Sequence, residues 1–143
     1  MANNAVDCFV QYIKNNNGGN SYGIMLDDGF ATFRSGVARN CTVRGSGKYG
    51  IFAGNGNIIT GCTASSIDAP YFPTTTGYYA YGTGNIFDGN TAVECNTGFN
   101  VSNNNLCKGN VARNNSSLNY TAGNNVIVSS PGSATNAFSN FSF

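Results

Sequence analysis

The chain has 143 residues, a length that suits one domain with a real core. Only 9% of them are charged, with a net charge of +1 and no histidine. That balance lacks the basic surplus of a nucleic-acid binder and the imidazoles of an ordinary zinc site. A hydrophobic fraction of 41% with 13% aromatics excludes a chain that stays unfolded, despite 24 Asn and 19 Gly.

The opening residues, Met1 to Cys8, have neither the basic start nor the apolar stretch of a signal peptide, and no run approaches the ~18 apolar residues of a membrane helix. Neither a membrane nor a nucleic acid is expected as a partner. From Ala2 onward the chain reads as a recurring unit of three short pieces. The first unit runs through Ala5, Gly23-Ile24-Met25-Leu26 and Thr32-Phe33-Arg34. The second has Ser35 to Cys41 around Ala38, then Gly50-Ile51-Phe52-Ala53 and Asn57-Ile58-Ile59-Thr60. The third has Gly61 to Ile67 around Ala64, then Gly77-Tyr78-Tyr79-Ala80 and Asn85-Ile86-Phe87-Asp88. The fourth has Gly89 to Cys95 around Ala92, then Gly98-Phe99-Asn100-Val101 and Asn105-Leu106-Cys107-Lys108. The fifth has Gly109 to Asn115 around Ala112, then Asn119-Tyr120-Thr121-Ala122 and Asn125-Val126-Ile127-Val128.

Polarity alternates with period two inside each piece and never with period 3.6, so strands are expected and essentially no helix. Three short strands cannot bury an apolar face alone, but stacked turns can share one core. The reading is an all-β parallel β-helix, a solenoid of about five coils over residues 1–128, with a C-terminal cap or assembly tail over 129–143. Its alanine column would be Ala5, Ala38, Ala64, Ala92 and Ala112, a register that a β-sandwich has no reason to repeat. Asparagine tolerates the left-handed conformation of a corner, and Asn57, Asn85, Asn105 and Asn125 are expected to stack as a hydrogen-bonded ladder.

Several pieces carry a family likeness. They are the starts Gly89-Asn90-Thr91-Ala92 and Gly109-Asn110-Val111-Ala112, the repeated Tyr-Gly-Ile at Tyr22 and Tyr49, and the Gly-Asn-Ile at Gly56 and Gly84. Over residues 3–128 the chain resembles the right-handed parallel β-helix repeat proteins of the pectin-lyase-like superfamily. Residues 134–143 are similar to the tails that close such repeats in bacterial surface proteins and phage tailspikes. The resemblance implies a right-handed coil, but that family includes lyases, hydrolases, epimerases, tailspikes and non-catalytic adhesins, so it does not choose a function. The acidic Asp-Pro-His-Glu motif of the epimerases is missing, as is a carboxylate cluster like a lyase calcium site.

Gly45 to Gly50 matches G-x-G-x-x-G, but a phosphate site would need this loop to open a helix, and here it joins two strands. Cys8, Cys41 and Cys95 are placed in one column, Cys62 with Asn90 and Asn110, and Cys107 with Ile59 and Phe87. All five cysteines read as small buried hydrophobes. Cys41 and Cys62, on adjacent coils but in different columns, leave a disulfide open. The weak catalytic candidates are Asp27, Asp28 and Asp88. Asp7 and Glu94 share a column three coils apart, too far for a glycosidase pair. Asp88 and Lys108 are expected to pair outward, and Arg39 and Arg113 to share a column. No cofactor or metal is expected.

The anomaly is apolar matter outside the core. With Ile24, Ile51 and Tyr78 inward, Met25, Phe52 and Tyr79 face out, near Tyr22 and Tyr49. With Ile59, Phe87 and Cys107 inward, Ile58, Ile86, Leu106 and Val126 form a second outward strip. Such strips mark an interface. It would be the contact of a homo-oligomer, with a trimer favoured, the seat of a tail carrying Phe138, Phe141 and Phe143, or a platform on which a polysaccharide stacks. The expected function is a non-catalytic structural or adhesion module of an extracellular, cell-surface or virion protein, cut from a longer parent. The alternatives are a polysaccharide lyase or hydrolase with an inter-subunit site, and a self-stacking fibre subunit.

Overall fold

The structure is a computed structural model that describes residues 4–11, 20–26, 35–45, 47–66, 75–122, 128–129 and 140–142. Its strands come in successive triplets. The first is β1 (Asn4–Val6), β2 (Phe9–Gln11) and β3 (Tyr22–Met25), and the second is β4 (Val37–Arg39), β5 (Thr42–Arg44) and β6 (Tyr49–Ala53). Then come β7 (Ile58–Thr60), β8 (Thr63–Ser65) and β9 (Thr76–Ala80), followed by β10 (Ile86–Asp88), β11 (Thr91–Val93) and β12 (Thr97–Val101). The last triplet is β13 (Leu106–Lys108), β14 (Val111–Arg113) and β15 (Leu118–Ala122), with β16 (Val128–Ser129) and β17 (Asn140–Ser142) beyond it.

Each strand pairs in parallel with its counterpart one triplet away, which builds three sheets. The first sheet runs β1-β4-β7-β10-β13, the second β16-β17-β14-β11-β8-β5-β2, and the third β15-β12-β9-β6-β3. This is a parallel β-solenoid, without a helix among the described residues, as the alternation of polarity predicts. The coil count is corrected: about three turns are traced rather than about five. The sheets are five, seven and five strands wide. Of the tail, β17 slots between β14 and β16 at the end of the second sheet, while Phe138 and Phe143 lie outside the described residues.

Among the described residues, one left-handed residue marks each corner. Between the first and second sheets these are Asp7, Asn40, Gly61, Gly89 and Gly109, with φ from 51° to 62°. Between the second and third they are Gly45, Ser66, Glu94 and Asn114, and on the way back to the first, Gly56, Gly84 and Asn104. Short polar residues and glycine tolerate this region best, so the Gly and Asn punctuation of the sequence fixes where the chain turns.

The corners also correct the alanine column. Ala5 and Ala38 belong to the first sheet, in register with Ile59, Phe87 and Cys107, whereas Ala64, Ala92 and Ala112 stack in the second sheet on Val43 and Val10. The five residues Val-Ala-Arg-Asn-Cys at 37–41 resemble Val-Ala-Arg-Asn-Asn at 111–115 because each run carries an inward alanine and then a left-handed asparagine corner, although later rungs of the first sheet put Ile59 and Phe87 at that inward position. Three further placements change with it. Cys8 and Cys41 stack with Cys62 and not with Cys95. Arg39 lies in the column of Thr60 and Asp88, and Arg113 in that of Ser65 and Val93. Asp7 and Glu94 sit at different corners.

The core is the inside of this prism. Ile24, Ile51, Tyr78 and Phe99 fill it from the third sheet, Ile59, Phe87 and Cys107 from the first, and Val43 with the three alanines from the second. Tyr78 stacks on Phe99 at 4.5 Å and Phe99 on Tyr120 at 5.1 Å. The Tyr78 hydroxyl donates to Cys62 O at 2.6 Å, so its burial leaves no orphaned donor.

Candidate functional site: an aromatic face on the third sheet

The third sheet departs from strict alternation. Its pairing registers Tyr22 with Tyr49, Ile24 with Ile51 and Met25 with Phe52, and omits the intervening Gly23–Gly50 pair. A Cβ on Gly77, one rung on from Gly50, would sit 3.3 Å from Ala92 Cβ and 3.2 Å from Cys95 Sγ, so the glycine faces the interior beside the inward Tyr78. Two consecutive residues therefore turn inward. The residues on either side of them, Tyr49 and Phe52 in β6, meet across the bend, their rings 5.6 Å apart, with Phe52 half-buried and Tyr49 covered by its neighbours at 9% exposure.

The result is a continuous cluster of rings. Tyr22 stacks on Tyr49 at 5.6 Å and meets Phe52 edge-on at 4.8 Å. Tyr49 packs against Tyr79 at 4.7 Å, and Phe52 stacks on Tyr79 at 5.6 Å. Tyr81, past the end of β9, closes the group at 5.3 Å from Phe52. These separations are those of favourable aromatic pairs. Met25 and Tyr81 are 43% and 40% exposed and frame the patch, while Phe52 and Tyr79 are half-buried. Lys48 Nζ lies 5.2 Å from the Tyr49 ring centroid and donates to Asn20 Oδ1 at 2.9 Å, which sets one positive charge at the margin. The face ends abruptly: the next residues in the Phe52–Tyr79 column are Asn100 and Thr121.

Sequence reading placed Met25, Phe52 and Tyr79 outward, and the structure brings Tyr22 and Tyr49 into contact with Phe52, and Tyr49 with Tyr79. It missed Tyr81 and Lys48, for which the only signal was adjacency in sequence to Ala80 and Tyr49. The second strip, Ile58, Ile86 and Leu106, lies on the outer face of the first sheet with Val37, and Ile58 and Leu106 are 43% and 42% exposed. Val126 lies outside the described residues.

Of the carboxylates, Asp27 and Asp28 lie outside the described residues. Asp88 Oδ2 pairs with Lys108 Nζ at 2.9 Å on the outer face of the first sheet, an exposed bridge worth under ~1 kcal/mol. Glu94 Oε2 accepts from Ser66 Oγ at 3.2 Å. No group of three His, Cys, Asp or Glu side chains converges among the described residues. The G-x-G-x-x-G segment runs from the Gly45 corner into strand β6, not into a helix.

No protein-family model, curated protein or solved structure matches the chain. The parallel β-solenoid is thus established by strand pairing and not by kinship.

Proposed function

We propose that the chain is a non-catalytic, right-handed parallel β-helical module of a surface or virion protein, related to the pectin-lyase-like superfamily, that holds a glycan on the aromatic face of its third sheet. The observation that carries this reading is the ring cluster of Tyr22, Phe52, Tyr79 and Tyr81, on β3, β6, β9 and the residue just past β9, backed by the buried ring of Tyr49. Sugar rings present apolar C–H faces that lie against aromatic rings, while tyrosine hydroxyls and Lys48 offer polar contacts at the margin. The rings already support one another, so little side-chain freedom is lost when a saccharide docks.

The test is retention of the native chain in gels containing neutral or acidic polysaccharides, with calorimetry on whichever ligand retards it. Phe52→Ala and Tyr81→Ala should each weaken binding about tenfold, the equivalent of one ring contact near 1.4 kcal/mol. Migration unchanged by every polysaccharide would remove the glycan reading. New reducing ends or unsaturated products, abolished by Asp27→Asn, Asp28→Asn or Asp88→Asn, would replace it with the enzyme.

A second surface supports self-association. Val37, Ile58, Ile86 and Leu106 form an apolar column across four strands of the first sheet, the kind of strip that copies of a solenoid cover in a trimer. Light scattering should give a discrete trimer mass that Ile58→Asp reduces to the monomer. A monomeric wild type would leave the strip uncovered, and a polydisperse, growing mass would favour the fibre.

A further inference from the structure

Cys8, Cys41 and Cys62 occupy one position in three successive rungs. Thr42 N donates to Cys8 O, Thr63 N to Cys41 O and Thr91 N to Cys62 O, each at 2.8 Å. The next rungs carry Asn90, Asn110 and Asn140 at the same place, where each amide oxygen accepts from the backbone N–H of the rung before it. A thiol only half-replaces that amide. Cys62 Sγ accepts from Cys41 N at 3.4 Å, while the single Cys41 S–H is shared between Arg39 O at 3.2 Å and Ala5 O at 3.3 Å. Neighbouring parallel strands stand about 4.8 Å apart, inside the ~4.4–6.8 Å between Cα atoms that a disulfide spans.

Access is graded along the column. Cys41 and Cys62 are closed to solvent, and Cys8, on the end strand side of all three sheets, is half-buried. The two other cysteines stand elsewhere: Cys107 is registered with Phe87, and Cys95 N donates to Asn115 Oδ1.

We propose that this column is a thiol–disulfide exchange site, which takes a small-molecule disulfide at Cys8 and ends as a Cys8–Cys41 cross-link between adjacent rungs. The Cys8 thiolate attacks one sulfur of RS–SR. The Cys8–SR bond forms and the S–S bond breaks, and RS⁻ leaves and takes up the proton that Cys8 lost. Cys41, one rung away, then attacks the Cys8 sulfur of this mixed disulfide. The Cys8–Cys41 bond forms, and the second RS⁻ leaves with the proton of Cys41. Two protein thiols lose two electrons, and one RS–SR is reduced to two RSH. Cys62 stays out of the first steps because it is enclosed, and burial beside Cys41 pushes its thiol up to about 11, where little thiolate exists. The proposal rests on the rung register alone and is independent of the glycan reading.

The experiment exposes the reduced, native chain to oxidised glutathione, then maps peptides by mass spectrometry without reduction. The expected product is a Cys8–Cys41 linked peptide pair, with two fewer thiols titrated after unfolding. Cys41→Ser should stop at the Cys8–glutathione mixed disulfide, Cys8→Ser should leave the folded chain unmodified, and Cys95→Ser should oxidise like the wild type. Circular dichroism checks that each variant keeps its sheets, and the wild-type map stands without any variant. A persistent glutathione adduct on wild-type Cys8 would overturn the proposal, and so would modification of Cys95 or Cys107 first, or Cys41–Cys62 as the sole link.

Discussion

Asparagine does at two of the corners what no apolar residue could do there. Asn57, Asn85 and Asn105 form one ladder: Asn57 N and Nδ2 both donate to Asn85 Oδ1 at 2.9 Å, and Asn85 repeats this on Asn105 at 2.8 and 2.9 Å. Asn90, Asn110 and Asn140 form the second, and in each rung Nδ2 also donates to a first-sheet carbonyl of the rung before, as Asn110 does to Phe87 O at 2.9 Å. All six are buried, and no buried side-chain nitrogen or oxygen is left without a partner among the described residues. Truncating one rung strands donors and acceptors on both neighbours. Asn85→Ala should therefore cost about 3 kcal/mol, as one or two buried groups lose their partners. Asn100→Ala, at an outward position, should stay within about 0.5 kcal/mol. Urea unfolding of both variants checks this, and equal losses would show that the ladder adds nothing specific. The glycine corners give a separate test. Gly89 has φ 62° and nothing within 4 Å of where a Cβ would lie, so Gly89→Ala should cost about 1 kcal/mol, from backbone strain alone.

At the scale of the element, the decisive feature is the bend in the third sheet. Gly77 faces the core beside Tyr78, and a Cβ there would approach Gly98 O to 2.8 Å, Cys95 Sγ to 3.2 Å and Ala92 Cβ to 3.3 Å. Backbone and core alanine cannot give way as a flexible side chain can, so Gly77→Val should destabilise by about 2–3 kcal/mol. It should also weaken the near-ultraviolet circular dichroism of the stacked tyrosines more than Gly89→Ala does at the same fraction folded. An unchanged spectrum would mean that the ring cluster does not depend on the bend. Strict alternation, read from the sequence, gave Ile51 inward and Phe52 outward correctly, because those two follow the bend. It could not show that Tyr49 meets Phe52 across the bend, since that takes two successive inward residues. The alanine column failed for a related reason: β4 in the first sheet and β14 in the second carry the same run of inward alanine and left-handed corner, so neither sheet could be told from the other by five residues. The Asn57-Asn85-Asn105 part of the expected ladder was legible because its rungs follow Gly56, Gly84 and Asn104, a Gly-Asn or Asn-Asn pair before each apolar strand; its fourth member, Asn125, lies outside the described residues.

For the whole molecule, a narrow prism with titratable groups inside it makes stability depend on pH at the alkaline end. Burial raises the Cys107 thiol from 9.0 to about 12 and, with Cys41 beside it, the Cys62 thiol to about 11. Burial also pushes the Tyr78 and Tyr120 hydroxyls up, with nearby cysteines adding to the effect. The folded chain holds these protons more tightly than the unfolded chain. Their contribution is complete below the unfolded value near 9, and it falls as pH rises toward the folded values, because only the unfolded chain releases the protons. For Cys107 alone the loss reaches about 2 kcal/mol by pH ~10.5. Urea midpoints measured under reducing conditions, which keep disulfide exchange out of the comparison, should therefore drop between pH 7.5 and 10.5. Cys107→Val provides the control. The position already takes Phe87 and Ile59 on the two rungs before it, so an apolar side chain of similar volume should hold stability within about 1 kcal/mol at neutral pH. The variant should lose about 2 kcal/mol less than the wild type on going to pH ~10.5. If both fall by the same amount, the buried thiol is not the source of the alkaline loss, and the tyrosine hydroxyls that cross the core are left to account for it.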